Sequence, residues 1–291
     1  MSFHVYHLFS HTILHCGAGQ SVGIVDQPIA RERASYLPIV PGSTVRGVLK
    51  AHVSDTESVA ESSSALQGLT ELLFGASTSN DGRAGALSIT DAHLLLLPVR
   101  TVYGILAYAT CPFILQRYKQ DRELDFSLPV PSEKQALCPN DNPNHQDNVM
   151  VLEDLDLDAK TSGDVEPWAK DIAQCIYPDN EELRESMRKR IVVLPDTVFS
   201  FLAETATEIR TRIRINETTG VVDNGALWSE ESLPAESILW GVYSVDHNRC
   251  HEQYVRELNH ILKEKPLLQM GGNMGTGSGL VQFISLEDKG E

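Results

Sequence analysis

Hydrophobic and polar positions alternate at the start of this 291-residue chain and then change to helical spacing. The alternation over residues 3–14 predicts a first β-strand, which a cluster of glycines ends. Residues 64–74 carry apolar side chains at helical spacing, and residues 45–53 form a second candidate helix. Residues 86–97 supply apolar strand material that ends before Pro98. The first third of the chain therefore predicts a mixture of strands and helices.

The second half of the chain gives clearer element boundaries. A helix over residues 178–190 starts at an Asp-Asn cap and has acids in its first turn and bases in its last, in agreement with the helix dipole. Residues 210–228 have the pattern of a β-hairpin. A strand over residues 240–244 precedes an amphipathic helix over residues 251–262. The short apolar run 101–112 fits either a strand or a helix, because periodicity cannot classify a run of that length.

Composition favours one elaborated domain in a reducing compartment. The hydrophobic content of 42% is ordinary for a globular protein, and no stretch approaches the roughly 18 apolar residues of a membrane span. The N-terminus lacks the basic region and cleavage site of a signal peptide. Five cysteines form no C-x-x-C pair and leave one unpaired in any disulfide scheme. We therefore expect a cytoplasmic protein with no structural zinc and no membrane partner.

Charge is distributed unevenly along the chain. The net charge of −16 is unusual for a nucleic-acid-binding protein, because Lys and Arg contacts to phosphate dominate such binding. Residues 121–185 hold 17 acids against 5 bases, whereas residues 184–214 carry seven Lys and Arg. We interpret residues 116–190 as an irregular acidic insertion that is either solvated or faces a basic partner.

The richest candidate chemistry lies between residues 15 and 50. Gly17 and Gly19 allow close backbone approach and positive φ, so this turn can present amide N–H groups to phosphate oxygens. Ser43 lies where a helix starting near Val45 would need its N-cap, and a helix N-terminus can bind phosphate. Polar and cationic candidates for RNA contact are concentrated in the same segment: His15, Arg31, Arg33, Arg46 and Lys50.

Three arginines of the predicted hairpin fall on one face by strand alternation: Arg210, Arg212 and Arg214. On that face they would form a row of phosphate contacts, with Ile213 and Ile215 on the opposite face. The same pattern also fits a charged strand edge that prevents edge-to-edge pairing.

A second glycine-rich loop, GGNMGTGSG, begins at Gly271. Its five glycines in nine residues expose the backbone to a ligand, but such a loop is weak evidence for nucleotide binding by itself. The sequence contains neither GxxxxGK[ST] nor a GxGxxG that follows a strand. A P-loop NTPase is therefore excluded.

These motifs resemble those of one known family. The text HCGAGQSVGIVDQPIARERASYLPIVPGSTVRGVLK is similar to that of the RAMP subunit that forms the repeating backbone of type III-B CRISPR (Cmr) effector complexes. Arg46 stands where that family commonly has lysine, so the cation is kept with a different geometry. Three further blocks, at residues 85–115, 210–234 and 268–281, extend the resemblance across most of the chain.

The resemblance implies an α+β fold with a ferredoxin-like, RRM-type palm in a single elaborated RAMP domain over residues 1–291. The run 101–112 would then be the first helix of the palm. A helical insertion is implied near residues 50–85, the irregular acidic insertion at about 116–190, and a β-hairpin thumb near residues 205–235. In the family, the thumb is thought to press across the guide–target duplex and displace nucleotides at regular steps.

The function that the resemblance implies is polymerisation along crRNA and cleavage of complementary target RNA at regular intervals. Asp26 aligns with the family's acid required for cleavage, and one carboxylate can position Mg²⁺ or Mn²⁺ or orient the 2′-hydroxyl of RNA. C-terminal glycine loops of RAMP proteins contact RNA, which gives that role to Gly271, Gly272 and Gly275. The implied partners are crRNA, target RNA, head-to-tail copies of the chain and other Cmr subunits.

Two alternatives stay open at the level of sequence. In a non-catalytic crRNA-binding scaffold, Asp26 would only stabilise the turn before Pro28. A stand-alone RAMP endoribonuclease that processes precursor crRNA would need a positioned His or Tyr and no metal. Glu230 and Glu231, which follow the hairpin, are secondary catalytic candidates or ordinary surface glutamates.

Overall fold

The computed structural model describes residues 2–19, 25–59, 68–76, 82–216 and 218–285 of the chain. The strands are β1 (Ser2–Ser10), β2 (Ile39–Val40), β3 (Leu87–Ile89), β4 (Ala92–Thr101), β5 (Ile105–Thr110), β6 (Gln135–Cys138), β7 (His145–Gln146), β8 (Val149–Leu152), β9 (Leu155–Thr161), β10 (Ile191–Val193), β11 (Glu208–Ile215), β12 (Val222–Ser232), β13 (Ile238–Val245), β14 (Leu267–Gln269) and β15 (Leu280–Ser285). The helices are α1 (Gly42–Val59), α2 (Leu69–Phe74), α3 (Pro112–Arg122), α4 (Val165–Ile176), α5 (Glu181–Arg190), α6 (Asp196–Thr205) and α7 (Glu252–Glu264), with a 3-10 turn at Met274–Thr276. The predicted α+β class is confirmed.

An antiparallel group of four strands, in the order β15-β1-β13-β4, forms the centre of the fold. Strand β1 is buried over residues 5–10, because helices cover both of its faces. On one face, the Tyr243 hydroxyl of β13 donates to Asn259 of α7 at 3.2 Å. On the other, His7 of β1 and Tyr118 of α3 share a hydrogen bond of 2.8 Å. Within the described part of the chain, every helix is too short or too polar to be a membrane span.

Strand β4 continues beyond this group and joins it to a second set of strands, β5-β10-β6-β9-β8-β7. The expected palm helix at residues 101–112 is wrong, because residues 105–110 form strand β5 and pair with β4 in a tight hairpin. Gly104 makes this reversal possible. Its φ is +74°, and a Cβ there would lie 2.3 Å from Asn144 Oδ1, so only glycine fits the turn.

The expectation of an irregular segment at residues 116–190 is also wrong, because strands and helices fill most of it. In β9, Leu157 and Ala159 are buried while Asp156 and Asp158 are exposed. Helix α4 likewise buries an apolar stripe. The two aspartates of β9 therefore lie on its solvent face. The acidic composition concealed this periodicity because aspartate is uncommon in strands.

Helix starts agree with the sequence in one case and differ in another. Helix α5 begins after Asn180, whose side chain accepts a hydrogen bond from the Leu183 N–H, as the cap predicted. Helix α1 begins at Gly42 and not near Val45, because the Gly42 N–H donates to Asp91 Oδ1 at 2.7 Å. Ser43 is consequently a residue of the helix and not its cap. Of the helix predicted from residue 64, the part before residue 68 lies outside the described residues.

Candidate nucleic-acid interface

Asp26 lies on an exposed loop that contacts the thumb hairpin, the name used here for β11 and β12. Its Oδ2 accepts hydrogen bonds from the backbone N–H and the hydroxyl of Ser229, both at 2.8 Å. The Asp26 N–H in turn donates to Ser229 Oγ at 3.0 Å. The backbone hydrogen bond from Ser229 and then its hydroxyl hold the pKa of Asp26 below its usual value. The carboxylate is thus ionised at neutral pH and fixed in position.

The loop that carries Asp26 pairs with β12 by backbone hydrogen bonds. The Gln27 N–H donates to the Ser229 carbonyl at 3.1 Å, and the Glu231 N–H donates to the Gln27 carbonyl at 3.0 Å. These contacts form a short parallel bridge between Gln27 and Glu230. The loop and the thumb hairpin are therefore one connected structure near Asp26. Residues 20–24 of the preceding glycine turn lie outside the described residues.

A groove of about 400 Å³ opens between this loop and the thumb hairpin. It is lined by Asp26, Gln27, Arg214, Gly225, Ala226, Leu227 and Trp228. The acid and one of the hairpin arginines, which the sequence predicted independently, thus face the same space. A carboxylate and a guanidinium at one groove are groups that can contact ribose and phosphate.

Arg31 was expected to contact RNA, and the structure corrects this expectation. Its side chain and that of Glu231 are 8% and 7% exposed, and they form an ion pair of 2.5 Å between Nη2 and Oε1. Arg31 Nη1 also donates to the carbonyl oxygens of Tyr36 and Ala203, each at 3.1 Å. Three N–H donors of this guanidinium are therefore used inside the protein.

Glu231 holds the Asp26 loop against the thumb hairpin. Besides Arg31, its carboxylate accepts hydrogen bonds from the Ile29 N–H at 3.1 Å and the Thr207 hydroxyl at 3.0 Å. Its side chain is buried, so it is not the ordinary surface glutamate that the sequence allowed. The contacts assign it an anchoring role beside the loop and not direct chemistry on RNA.

Glu230 performs a similar task on the other face of β12. Its Oε1 accepts from Trp228 Nε1 at 2.8 Å, and its Oε2 accepts from Arg212 Nε at 3.0 Å and from Asn273 Nδ2 at 2.7 Å. Burial by itself raises the pKa of Glu230, but hydrogen bonds from Trp228, Arg212 and Asn273 outweigh it and lower the pKa. The buried carboxylate joins the thumb hairpin to the C-terminal glycine loop.

The hairpin arginines do not form the continuous row of phosphate contacts that alternation suggested. Arg212 is bound to buried Glu230, and Arg210 pairs with Glu208 at 2.8 Å on the exposed surface. Arg214 lines the groove that contains Asp26. The pairing of β11 with β12 shifts register between Ile213 and Ile215, so Arg214 does not follow the regular alternation of Arg210 and Arg212. Of the three, Arg214 is the one that lines this groove.

The two glycine-rich loops meet at His15. His15 is buried, and its Nδ1 donates to the Glu231 carbonyl at 2.6 Å, which places a proton on Nδ1 because a carbonyl only accepts. A Cβ at Gly17 would lie 2.9 Å from His15 Nε2. Gly271 has φ +80°, and a Cβ there would lie 2.3 Å from the His15 carbonyl oxygen. These glycines are thus explained by packing on His15, and their contact with RNA stays a prediction.

The other predicted RNA contacts differ in their availability. Arg46 Nη2 donates to the Phe74 carbonyl at 2.9 Å and lies over the Phe74 ring, which ties α1 to α2 and is a structural role. Gly272 donates its N–H to the His15 carbonyl at 2.9 Å. Four candidates are exposed, and one is half-buried. The exposed ones are Gly19, Arg33, Ser43 and Gly275, and the half-buried one is Lys50.

Ser229 and Trp228 are site residues that the sequence analysis missed. Alternation along β12 places Ser229 and Glu231 on the face that meets the Asp26 loop, and Trp228 and Glu230 on the other. That alternation is readable in the sequence WSEE. Its meaning depends on a loop about 200 residues earlier, for which no local signal exists.

Comparisons with known proteins identify relatives of this chain in sequence and in fold. The family sequence model of the RAMP superfamily matches residues 10–282 of this chain. The CRISPR system Cmr endoribonuclease Cmr4 of Pyrococcus furiosus is 33% identical over 296 residues, covering 99% of this chain and 97% of that protein. The crystal structure of oligomeric Cmr4 from Pyrococcus furiosus has a TM-score of 0.73 at 25% identity, with 99% and 100% of the two chains covered. A chain in the cryo-EM structure of the type III-B Cmr-beta complex bound to cognate target RNA shares the fold, with a TM-score of 0.76 at 18% identity and coverage of 98% and 97%.

Proposed function

This chain belongs to the RAMP superfamily, and on that premise we propose that it is a backbone subunit of a type III-B CRISPR effector complex that cleaves target RNA through Asp26. A relative with 33% identity along almost the whole chain carries the name endoribonuclease, which supports the activity. The oligomeric crystal structure of a similar protein supports assembly with further copies of the chain. We expect head-to-tail stacking along crRNA, a heterologous arrangement that extends until other subunits cap it.

The placement of Asp26 carries the catalytic proposal. Two hydrogen bonds from Ser229 orient its Oδ2, and Arg214 lines the same groove. Arg214 is suited to bind a phosphate of the target strand, while the carboxylate of Asp26 accepts a hydrogen bond from the adjacent 2′-hydroxyl. Because the pKa of Asp26 is lowered, the carboxylate acts mainly as an orienting and charge-stabilising group, and less as a strong proton acceptor.

A divalent ion, Mg²⁺ or Mn²⁺, is part of the proposal. Among the described residues, no three His, Cys, Asp or Glu side chains are grouped as metal ligands. A single ionised carboxylate still fits such an ion, since Mg²⁺ commonly binds one or two carboxylates together with substrate phosphates and water. Asp26 is the residue that would hold it. The ion would supply Lewis-acid stabilisation of charge on the phosphate.

RNA binding in this proposal is independent of base sequence, because guide and target recognise each other by pairing. The exposed residues Arg33 and Gly275 and the groove residue Arg214 support contacts to phosphate and sugar. The four central strands support a ferredoxin-like palm, because their order and antiparallel directions, with α1 and α7 between them in sequence, match the βαββαβ pattern.

The proposal is tested by cleavage of labelled complementary RNA in the reconstituted complex with guide RNA and Mg²⁺ or Mn²⁺. We expect products at regular intervals from the wild type and none from Asp26→Ala. Asp26→Asn keeps the size of the side chain and removes its charge, so it is the matched control. Native mass spectrometry establishes that each variant assembles with guide RNA. Unchanged cleavage by an assembled Asp26→Ala complex would reduce the chain to a scaffold, and cleavage that persists in excess chelator would exclude the metal.

A further inference from the structure

Strand β12 separates two loops that lie on its opposite faces. On one face, Ser229 holds the carboxylate of Asp26. On the other face, the buried carboxylate of Glu230 accepts a hydrogen bond from Asn273 Nδ2 at 2.7 Å. Asn273 directly precedes the exposed part of the C-terminal glycine loop, residues 274–277. The thumb hairpin is therefore attached to the rest of the fold on both faces of β12.

The thumb hairpin has little support of its own. It is a two-stranded sheet separate from the main sheet, and most side chains of β11 are exposed. A two-stranded hairpin is only marginally stable by itself in water, so the contacts at its base set its orientation. Because Ser229 is a residue of this hairpin, a movement of β12 also moves the two donors that hold Asp26.

Asn273 is suited to anchor the face of β12 that lies away from Asp26. Its φ is +63°, a left-handed conformation that asparagine tolerates better than most residues. Its carbonyl accepts a hydrogen bond from the Thr276 N–H at 3.0 Å, which closes the 3-10 turn. With the backbone held in this way, its amide donates to Glu230, and that carboxylate also binds Arg212 of β11 and Trp228 of β12. One side chain of the glycine loop is thus connected to both strands of the hairpin.

From this geometry, and resting on the proposed function, we propose that Asn273 is a positioning residue for cleavage, which fixes the thumb hairpin through Glu230 and thereby the place of Asp26 at the target strand. Asn273 acts through Glu230 and the hairpin, without touching the reacting atoms. A displacement of about 1 Å between reacting groups can lower a rate about 100-fold. Loss of this hydrogen bond therefore lowers the cleavage rate more than it lowers stability, because Glu230 keeps Arg212 as its counter-ion.

The position of Asp26 can be measured in the free chain, without RNA. Asn273→Gly removes the amide donor and leaves the backbone relaxed, because glycine readily adopts a φ of +63°. A carbon-13 NMR titration should find the pKa of Asp26 raised toward about 3.9, because the hydrogen bonds from Ser229 that lower it are weakened. Thr276→Ala is the control, since it removes a hydrogen bond within the glycine loop and should leave the pKa of Asp26 as in the wild type. An Asp26 pKa that is unchanged in Asn273→Gly would overturn the proposal.

Cleavage by assembled complexes provides the second readout. At saturating target RNA, we expect Asn273→Gly to lower the single-turnover rate about ten- to a hundredfold while guide RNA is bound as in the wild type. Cleavage at the wild-type rate would overturn the positioning role, whatever the pKa of Asp26.

An exchange of the two side chains tests the contact itself. Glu230→Gln combined with Asn273→Asp restores a hydrogen bond between an amide and a carboxylate, so the double variant should cleave faster than either single variant. A double variant that cleaves no faster than the single variants would contradict the proposal. Cleavage that survives Asp26→Ala would instead refute the proposed catalysis. The NMR result on the free chain does not depend on that outcome, so the two failures are distinguishable.

Discussion

Arg31 and Arg33 lie two residues apart, and the structure gives them opposite roles. The Arg31 side chain is 8% exposed and paired with Glu231, whereas Arg33 is exposed. Replacement of Arg31 by Ala leaves the Glu231 carboxylate buried without its cation and removes donors to two carbonyl oxygens. Breaking a buried ion pair in this way costs about 3–5 kcal/mol of unfolding free energy. Solvent screening lowers this cost only slightly, because the side chains of Arg31 and Glu231 are both less than one-tenth exposed.

The change in melting temperature follows from the size of the chain. The entropy of unfolding of a 291-residue chain converts that loss of stability into a fall of about 5–8 °C in melting temperature. We therefore expect Arg31→Ala to melt about 5–8 °C below the wild type in calorimetry. Arg33→Ala should melt within about 1 °C of it, because exposed substitutions rarely change stability by more than about 0.5 kcal/mol.

RNA binding separates the two residues in the opposite direction. If Arg33 contacts a phosphate, Arg33→Ala weakens binding to all sequences and reduces the slope of log K against log salt by about 1. Filter binding of guide RNA between low and moderate salt measures this slope. Arg31→Ala should leave the slope unchanged when measured well below its melting temperature. A stable Arg31→Ala protein with a reduced salt slope would refute the structural role assigned to Arg31.

Two further predictions concern the Asp26 loop and the glycine loop. Ser229→Ala removes one of the hydrogen bonds that lower the pKa of Asp26, so a carbon-13 NMR titration should find that pKa raised toward the usual value of about 3.9. A lowered carboxyl pKa stabilises the folded state at pH values above the usual pKa, and this stabilisation is lost as the pH falls through the lowered pKa. An Asp26 pKa that is unchanged in Ser229→Ala would contradict the role assigned to Ser229. Gly271→Ala should destabilise the fold by about 1–3 kcal/mol in denaturant unfolding, because its φ is +80° and its Cβ would overlap the His15 carbonyl oxygen. Gly275→Ala is the matched control, because no atom lies within 4 Å of a Cβ added at Gly275, and its stability should be unchanged. Equal losses of stability in the two variants would count against the packing of Gly271 on His15.

The sequence predicted most regular elements but few of the contacts between them. Helix α5 and its Asn180 cap, helix α7 and the thumb hairpin follow from periodicity and capping, which are local properties. The segment 116–190 was misjudged because its acids obscure a strand alternation that is local but weak. Periodicity left residues 101–112 open between strand and helix, because a short buried run on both sides of a glycine turn carries no period of its own. The helix that the family resemblance implied there is wrong.

The candidate site shows the same division between local and distant information. Asp26 was singled out through the family resemblance, and its position in a groove beside Arg214 is compatible with that choice. The role of Arg31 was misread because its partner, Glu231, is 200 residues away in the chain. A buried arginine and an exposed one look alike in sequence when both follow a glycine turn. Tertiary contacts with β12 decide which of them is available to RNA.

Mixed assembly tests whether each copy of this chain cuts the target through its own Asp26. Complexes are reconstituted with guide RNA and defined mixtures of wild-type and Asp26→Ala chains, and the products of labelled complementary RNA are resolved by length. We expect cleavage at every interval to fall in proportion to the fraction of Asp26→Ala chains, with the assembly unchanged. Product yields that do not depend on this fraction would contradict it and place the active site in another subunit.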